Sequence, residues 1–225
     1  MLKEIAISKL VFDFGLYPRT HIDSVNVTNM LAAMQAGNEF PPIVVDKKSL
    51  RIVDGFHRVK CMERFGDENA SIRAELKNYA NEGAIFQDAM LLNSSHGRAF
   101  SNFERAKCIF RAEELKIDTA TIAICLRMTP ERLDALRIKR GASLKGDDMP
   151  LFPVKNTIQY MAGRKLTADQ YKANDKLGGM KPLFYVNQLL ILLENNLIDK
   201  ENPGLIQGLE KLSETLEKFL KKVAA

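Results

Sequence analysis

The sequence contains few cysteines and no long apolar run, and these absences exclude several classes of protein. Its 225 residues include three cysteines and no Cys-x-x-Cys pair, which supports neither a zinc ribbon nor a disulfide framework. Cys61, Cys108 and Cys125 each lie in an apolar helical pattern, and we expect them to be small core residues. No apolar stretch approaches the roughly 18 residues of a membrane span, and residues 1–10 lack a secretory pattern. We therefore expect a cytoplasmic protein.

The charge of the chain is mildly basic and is concentrated in one segment. Hydrophobic residues make up 46% of the chain and charged residues 27%, which is ordinary for a globular protein. The formal net charge is +5, and residues 98–140 contribute ten basic and six acidic side chains to it. A local excess of this kind is compatible with nucleic-acid binding, although many basic enzymes bind none.

The stretch SLRIVDGFHRVKCMERFG predicts a strand, a glycine turn and a helix. Leu50–Val53 is apolar and β-branched, as in a short strand. Gly55 allows a tight turn, Asp54 is placed to cap a helix, and Phe56–Arg64 has helical spacing of its apolar residues. The start of such a helix presents free N–H groups and the positive end of the helix dipole.

Three potential cations surround that helix start, and they are His57, Arg58 and Lys60. Together with the backbone at Gly55 they predict an anion site, for which a phosphate-bearing ligand is the natural occupant. The alternative is that these side chains form only surface salt bridges.

Hydrophobic periodicity predicts further elements around this unit. They are a strand within 4–14, a helix over 23–36, a buried strand at 43–45, a strand at 71–76 and a helix at 84–92. Asn93, His96 and Arg98 then form a polar cluster, and Ser101 or Asn102 caps the helix that follows.

Residues 119–138 fit the template of a helix-turn-helix, with Ala123 at the close-packed position. Thr129 and Pro130 mark the start of the second helix. A helical hairpin used only for packing is the alternative. If DNA is bound, the exposed candidates for its phosphates and base edges are Thr129, Arg132, Arg137, Lys139 and Arg140.

The last third of the chain predicts helices after a loop at 141–153. Residues 183–198 are apolar around most of the helix circumference, and we expect them to be buried. From Leu205 to Val223 apolar residues recur at spacings of four and three. That pattern fits an intramolecular bundle or a homodimer equally well.

The stretch FPPIVVDKKSLRIVDGFHRVKCMERFG at residues 40–66 resembles the ParB/sulfiredoxin superfamily. A Pro-Arg pair at 18–19, Asn93-x-x-His96 and the Glu-Arg-Ala start at 104–106 follow the order found in ParB-like chains. The resemblance implies an α+β fold, with a small mixed-sheet nucleotide-binding domain (1–92), an all-α helix-turn-helix domain (93–142) and C-terminal helices (150–225). It also implies a nucleoside triphosphate, CTP or ATP with Mg²⁺. The residues it assigns to the nucleotide are Gly55, His57, Arg58, Lys60, Asn93, His96 and Arg19.

The sequence departs from the family pattern at positions that decide which reactions are possible. Sulfiredoxin needs a cysteine at the position of Phe56, so its chemistry is excluded. The Gly-x-His-Arg form also resembles ParB-like free-serine kinases, which need a carboxylate base. The acids placed suggestively for that role are Asp23, Glu39 and Asp54. No compact carboxylate cluster suggests a two-metal site.

Three functions therefore remain from the sequence. The first is a nucleotide-binding and DNA-binding protein, expected to be a dimer through its C-terminal helices. The second is an ATP- or ADP-dependent small-molecule kinase or NTPase. The third is a DNA-binding adaptor with an inactive nucleotide site.

Overall fold

The chain has an α+β fold in which two mixed sheets are surrounded by helices. A computed structural model describes residues 1–66, 70–95, 98–145 and 151–224. Within these ranges the strands are β1 (Leu2–Ala6), β2 (Ile43–Asp46), β3 (Ile52–Asp54), β4 (Ser71–Lys77), β5 (Gly141–Leu144), β6 (Phe152–Pro153) and β7 (Lys165–Leu166). The α-helices are α1 (Ser24–Gln35), α2 (Phe56–Phe65), α3 (Glu82–Ser95), α4 (Asn102–Glu114), α5 (Thr119–Leu126), α6 (Pro130–Arg140), α7 (Ala168–Lys176), α8 (Pro182–Glu194) and α9 (Pro203–Val223).

The chain divides into two compact units, Met1–Gly178 and Gly179–Ala225. The first unit contains both sheets and the helices α1 to α7. The helices α8 and α9 form the second. The first unit therefore spans the residues of the first two domains expected from the sequence and part of the third.

The first sheet has the strand order β1-β4-β2-β3 and is covered on both faces. Strand β2 is parallel to β4 and antiparallel to β3. Successive side chains of a strand point to opposite faces, and here Ile43 and Val45 pack with Phe56 of α2. Val44 belongs instead to the core that includes Phe86 of α3. The sheet thus holds α2 and α3 on its two faces.

The three cysteines are buried, as the sequence predicts: Cys108 and Cys125 belong to the core that includes Phe86, and Cys61 contacts Met34 of α1. Cys61 of α2, Cys108 of α4 and Cys125 of α5 are buried and free.

Among the described residues, no helix is long and apolar enough to span a membrane.

The turn from β3 into α2 differs in one detail from the prediction. Gly55, and not Asp54, is the N-cap, with a φ of 106°. A Cβ at Gly55 would lie 2.4 Å from Cγ2 of Ile43, so only glycine fits this close approach of the turn to β2. Asp54 remains in β3, and its carboxylate forms an ion pair with Arg58.

Both ends of the loop predicted for residues 141–153 form strands, and residues 146–150 lie outside the described part of the chain. Strand β5 pairs antiparallel with β6 and parallel with β7, in the order β6-β5-β7. A small core of Ala142, Val154 and Leu166 stabilises this sheet. Strands of two to four residues are too short to show an alternation of apolar and polar residues. The β5–β7 pairing also joins residues about twenty positions apart, so no local pattern predicts it.

The second unit also differs from the prediction that residues 183–198 are buried. No residue of α8 is buried, and exposed side chains include Leu183, Tyr185 and Ile191. On α9 the apolar residues from Leu212 onward are also exposed, including Leu216 and Phe219, whereas Leu205 and Leu209 are half-buried. Periodicity predicts that an apolar face exists, but it does not say whether the same chain covers it.

Candidate functional site

The start of α2 opens into a cavity of about 930 Å³. Gly55 has no side chain, so no side chain caps the first turn of α2. The helix α1 differs, because its N-cap Asp23 accepts hydrogen bonds from the N–H groups of Val25 and Asn26. The N–H groups at the start of α2, with the positive end of its dipole, therefore face the cavity without a capping acceptor.

Arg19 brings an incompletely paired guanidinium to the same cavity. The residue is 6% exposed, and its Nη2 donates to the carbonyl oxygens of Asn93 and Arg98 at 3.3 and 2.7 Å. Its Nη1 is buried and has no hydrogen-bond partner among the described residues. A buried donor without an acceptor costs free energy, more so on a charged group. An anion that contacts Nη1 would supply the missing acceptor.

The backbone of Arg19 is held in place from α4. Lys107 donates from Nζ to the carbonyl oxygens of Tyr17 and Arg19 at 3.2 and 2.9 Å. The thiol of Cys108 lies 3.4 Å from the carbonyl oxygen of Pro18. These contacts fix the Pro-Arg pair at residues 18–19, which the sequence analysis noted. They hold Arg19 in the lining of the cavity.

Arg98 adds a second guanidinium to the cavity lining. Its Nη2 donates to Oε1 of Glu104 at 2.8 Å, and Glu104 is 1% exposed. The other carboxylate oxygen of Glu104 accepts the N–H of Ser101, which completes a capping box at the start of α4. The buried carboxylate therefore positions Arg98 while the side chain of Arg98 stays 56% exposed.

His57 lies in the cavity, although not as the cation that its position predicts. Its Nε2 accepts a hydrogen bond from the N–H of Asp23 at 3.0 Å, which requires that nitrogen to be unprotonated. Burial, and then the charge of Arg19, hold the pKa of His57 below its usual value. His57 is therefore a neutral group that ties the start of α1 to α2.

Arg58 and Lys60 are engaged with neighbouring protein groups. Arg58 lines the cavity, but its guanidinium pairs with Asp54 and donates to the carbonyl oxygens of Pro41 and Pro42 at 2.8 and 2.9 Å. Lys60 lies outside the cavity lining, where its Nζ pairs with Glu63 at 2.6 Å and sits over the ring of Phe12.

Asn93, which the resemblance assigns to the nucleotide, lies at the end of α3 and lines the cavity. The side-chain amide of Asn93 donates to the carbonyl oxygen of Ala89, and the backbone carbonyl oxygen of Asn93 accepts from Arg19. The prediction for His96 lies outside the described residues. Phe56, where sulfiredoxin has cysteine, is buried and stacks on Tyr17 with ring centroids 4.2 Å apart.

The carboxylates considered as a base from the sequence are all committed to other groups. Asp23 caps α1 and Asp54 pairs with Arg58. Glu39 does not line this cavity and pairs with Arg73 at its exposed surface.

Sequence reasoning missed Glu75 of β4, which lines the cavity and has no ion pair among the described residues. The sequence around Glu75 does not predict this position, because the cavity is formed by segments that are far from β4 in the chain.

No metal centre is found in the part of the chain that the structure describes. There, no three histidine, cysteine, aspartate or glutamate side chains lie close enough together to hold a metal ion.

The helices α5 and α6 are joined by Arg127, Met128 and Thr129, with Arg127 in the left-handed region at a φ of 51°. Thr129 caps α6 through its hydroxyl, which accepts the N–H of Arg132. Ala123 and Leu133 are buried between the helices and the core of the first unit. This packing leaves one face of α6 open.

Three of the basic residues suggested for DNA lie on that open face of α6, and one does not. Arg132, Arg137 and Lys139 are exposed, and Arg137 also forms an ion pair with Glu113 at 3.3 Å. Arg140, predicted to be exposed, is instead 8% exposed and donates to Val154 and Asn156 in the segment that follows. The unforeseen sheet covers Arg140, and burial lowers its pKa.

The neutral state of His57 should make the stability of the first unit depend on pH. Because its pKa is lowered on folding, the His57 contribution is complete above the unfolded-state value near 6.5 and is lost progressively as the pH falls below it. We expect urea unfolding at pH 5.5 and 7.5 to show a larger loss of stability for the wild type than for His57→Gln. His21→Gln, on the exposed rim of the cavity, should retain the wild-type loss. Equal losses in the wild type and His57→Gln would contradict the assignment.

Comparison with known proteins gives matches among solved structures alone. No protein-family model and no curated protein matches the chain. The chain is similar to C-terminally truncated ParB from Caulobacter crescentus complexed to the centromeric parS site, with 15% identity, a TM-score of 0.44, and coverage of 60% of this chain and 69% of that one. The same protein complexed with CTP-gamma-S gives 15% identity and a TM-score of 0.38, with coverage of 60% and 76%. A pNOB8-like ParB N-domain gives 15% identity and a TM-score of 0.42, with coverage of 71% of this chain and 55% of that one.

Proposed function

We propose that the chain is a ParB-like protein that binds the phosphates of a nucleotide in the 930 Å³ cavity and DNA through α5 and α6. The observation that carries the nucleotide proposal is the buried Nη1 of Arg19, which has no hydrogen-bond partner among the described residues, beside the start of α2, which no described side chain caps. A phosphate group offers acceptors to both at once. The cavity volume is also within the range of ligand pockets in proteins, about 300–1,000 Å³.

The proposed division of roles follows from the contacts. Arg19 and Arg98 supply charge and donors, and the backbone from Gly55 supplies the N–H groups. His57 positions α1, and Arg58 holds the Pro41–Pro42 turn against α2. Asn93 places its carbonyl oxygen on Arg19. CTP and ATP, with Mg²⁺ carried on their phosphates, both meet these requirements.

Contacts at the end of α3 support a coupling between the cavity and the two helices. Asn93 bonds to Arg19, and the next residue, Ser94, donates from Oγ to the carbonyl oxygen of Cys125 in α5 at 2.6 Å. Arg127, in the turn, donates to Oγ of Ser95 at 3.0 Å. A shift of Arg19 on ligand binding would therefore be transmitted through the end of α3 to the α5–α6 turn. We infer that nucleotide binding changes the position of α6.

The proposed DNA surface is the open face of α6. Thr129, Arg132, Arg137 and Lys139 are exposed there, with Arg132 and Lys139 along one edge of the exposed surface and Arg137 along the other, and exposed positive charges suit phosphate contacts. Arg140 has no part in this proposal, because its guanidinium is bonded within the protein.

Removal of the cavity guanidinium groups should weaken nucleotide binding. In calorimetric titrations with CTP, ATP and ADP plus Mg²⁺, we expect Arg19→Gln and Arg98→Gln each to lower the affinity of the best ligand by about tenfold or more, as for loss of a charge-assisted hydrogen bond. Arg64→Gln is the matched control, since Arg64 lies exposed in the last turn of α2. Circular dichroism checks that each variant is folded. Unchanged affinity in Arg98→Gln and in folded Arg19→Gln would refute the site, and no binding by the wild type would leave only a DNA-binding adaptor.

Removal of charge on α6 should weaken DNA binding in proportion to the phosphates contacted. We expect the triple variant Arg132→Gln, Arg137→Gln, Lys139→Gln to bind duplex DNA at least about tenfold more weakly and with a smaller salt dependence, by about 0.9 in logarithmic slope for each lost contact. The variant Lys165→Gln, Lys172→Gln, Lys176→Gln loses the same charge from exposed positions elsewhere in the first unit. Equal loss in both variants would mean a non-specific charge effect and would contradict a surface on α6.

One observation favours phosphoryl transfer as a second function. Glu75 lines the cavity without an ion-pair partner in the described residues, and such a carboxylate could accept the proton of an acceptor hydroxyl. The titrations above, repeated with duplex DNA, separate the two functions. Nucleotide binding that changes with DNA supports the first, whereas ATP or ADP binding indifferent to DNA, with turnover that Glu75→Gln abolishes, supports the kinase.

We further propose that the second unit forms a homodimer through α8 and α9. Their apolar side chains at helical spacing are exposed within the chain, and a self-complementary apolar face is the usual basis of a two-fold dimer. We expect light scattering to give a dimer for the wild type and a monomer for Leu212→Glu, Leu216→Glu. Gln207→Glu, Ser213→Glu is the control at exposed polar positions of α9. A monomeric wild type would exclude the proposal.

A further inference from the structure

A second cavity, of about 340 Å³, lies on the other side of the Pro-Arg segment. Its walls come from α4, β6, the segment before α7, and α7 itself, and Thr20 also lines it. None of its residues lines the cavity described above. Part of this wall is the segment after α6 that the sequence predicts to be a loop.

The lining of the second cavity carries an excess of positive charge. Lys107 and Lys155 line it, with Asp175 as the acidic residue. Lys107 is largely buried, and its ammonium bonds to two carbonyl oxygens, not to a carboxylate. An ammonium has three donors, so one N–H of Lys107 is left for a ligand. Burial lowers the pKa of Lys107, and the charges of Cys108 and Glu104 offset this effect only in part.

Lys155 is likewise held without an acidic partner. Its Nζ lies 4.7 Å from the centroid of the Phe103 ring, and it forms no ion pair within the described ranges. Its backbone is fixed, because the N–H of Lys155 donates to Oδ1 of the buried Asn174 at 2.8 Å. The amide of Asn174 also donates to the carbonyl oxygen of Pro153 at 3.0 Å. Asn174 therefore builds a defined wall between β6 and α7.

The remaining walls are aromatic. Phe152 and Tyr171 pack edge to face, with centroids 4.7 Å apart and an interplanar angle of 78°. Phe103 lies in the same lining. Flat apolar walls bind flat apolar groups through burial and ring contacts, and the volume is at the lower end of ligand pockets, about 300 Å³.

We propose that the second cavity is a binding site for a small aromatic carboxylate, with the carboxylate on Lys107 and Lys155 and the ring between Phe103, Phe152 and Tyr171. The two ammonium groups supply the countercharge and donors that the described residues do not satisfy. The aromatic walls select a planar body over a hydrated inorganic ion. Asp175 opposes the ligand charge at the rim and sets a limit on affinity.

Calorimetric titration of the whole 225-residue chain with benzoate tests the proposal. We expect saturable one-to-one binding, at least about tenfold tighter than that of neutral benzamide or cationic benzylamine. Lys155→Met keeps an apolar stem over Phe103 but removes the charge, and should weaken benzoate binding about fivefold or more. Lys172→Met, on the exposed side of α7, is the matched control and should change nothing.

A variant that should strengthen benzoate binding provides a second test. Asp175→Asn removes the acidic residue of the lining and should strengthen benzoate binding, by about twofold or more. Arg98→Gln, in the first cavity, should leave benzoate affinity unchanged. The proposal is overturned if the wild type does not bind benzoate with saturation, if benzamide binds equally well, or if folded Lys155→Met keeps the wild-type affinity.

Discussion

The hydrogen bonds from Lys107 to the carbonyl oxygens of Tyr17 and Arg19 are the contacts on which the rest of the first unit depends. They join α4 to the Pro-Arg segment, so a helix from the middle of the chain fixes a loop near its start. On one side of that loop Arg19 enters the larger cavity, and on the other Lys107 lines the smaller one. A single buried ammonium thus helps to shape both candidate sites.

The larger cavity combines groups that are satisfied by the protein with groups that are not. Arg58, the motif residue with the strongest sequence signal, uses its guanidinium on Asp54 and two prolines. Arg19, from a different part of the chain, has one buried nitrogen for which the described residues provide no acceptor. The unsatisfied group indicates where an anion would be stabilised, because folding has already removed water from it.

Much of the first unit could be predicted from local patterns, and the misses share a cause. The strands at Ile43 and Ser71 and the helix capped by Asp23 are confirmed close to their predicted bounds, because alternation, helical spacing and caps are local signals. Gly55 replaced Asp54 as the cap of α2, and Arg140 proved buried. Both depend on what approaches from elsewhere, namely Ile43 in the first case and the β5–β7 sheet in the second.

The sequence by itself determined the α+β element order from β1 to α6, the glycine turn at the start of α2 and the basic excess from Arg98 onward. These features rest on side-chain type and spacing, which the chain carries before it folds. Tertiary structure alone decided which cations remain available, since Arg19 and Lys107 are distinguished from Arg58 and Lys60 by their partners. Partners are set by distances between segments far apart in the chain, and residue order does not specify those distances.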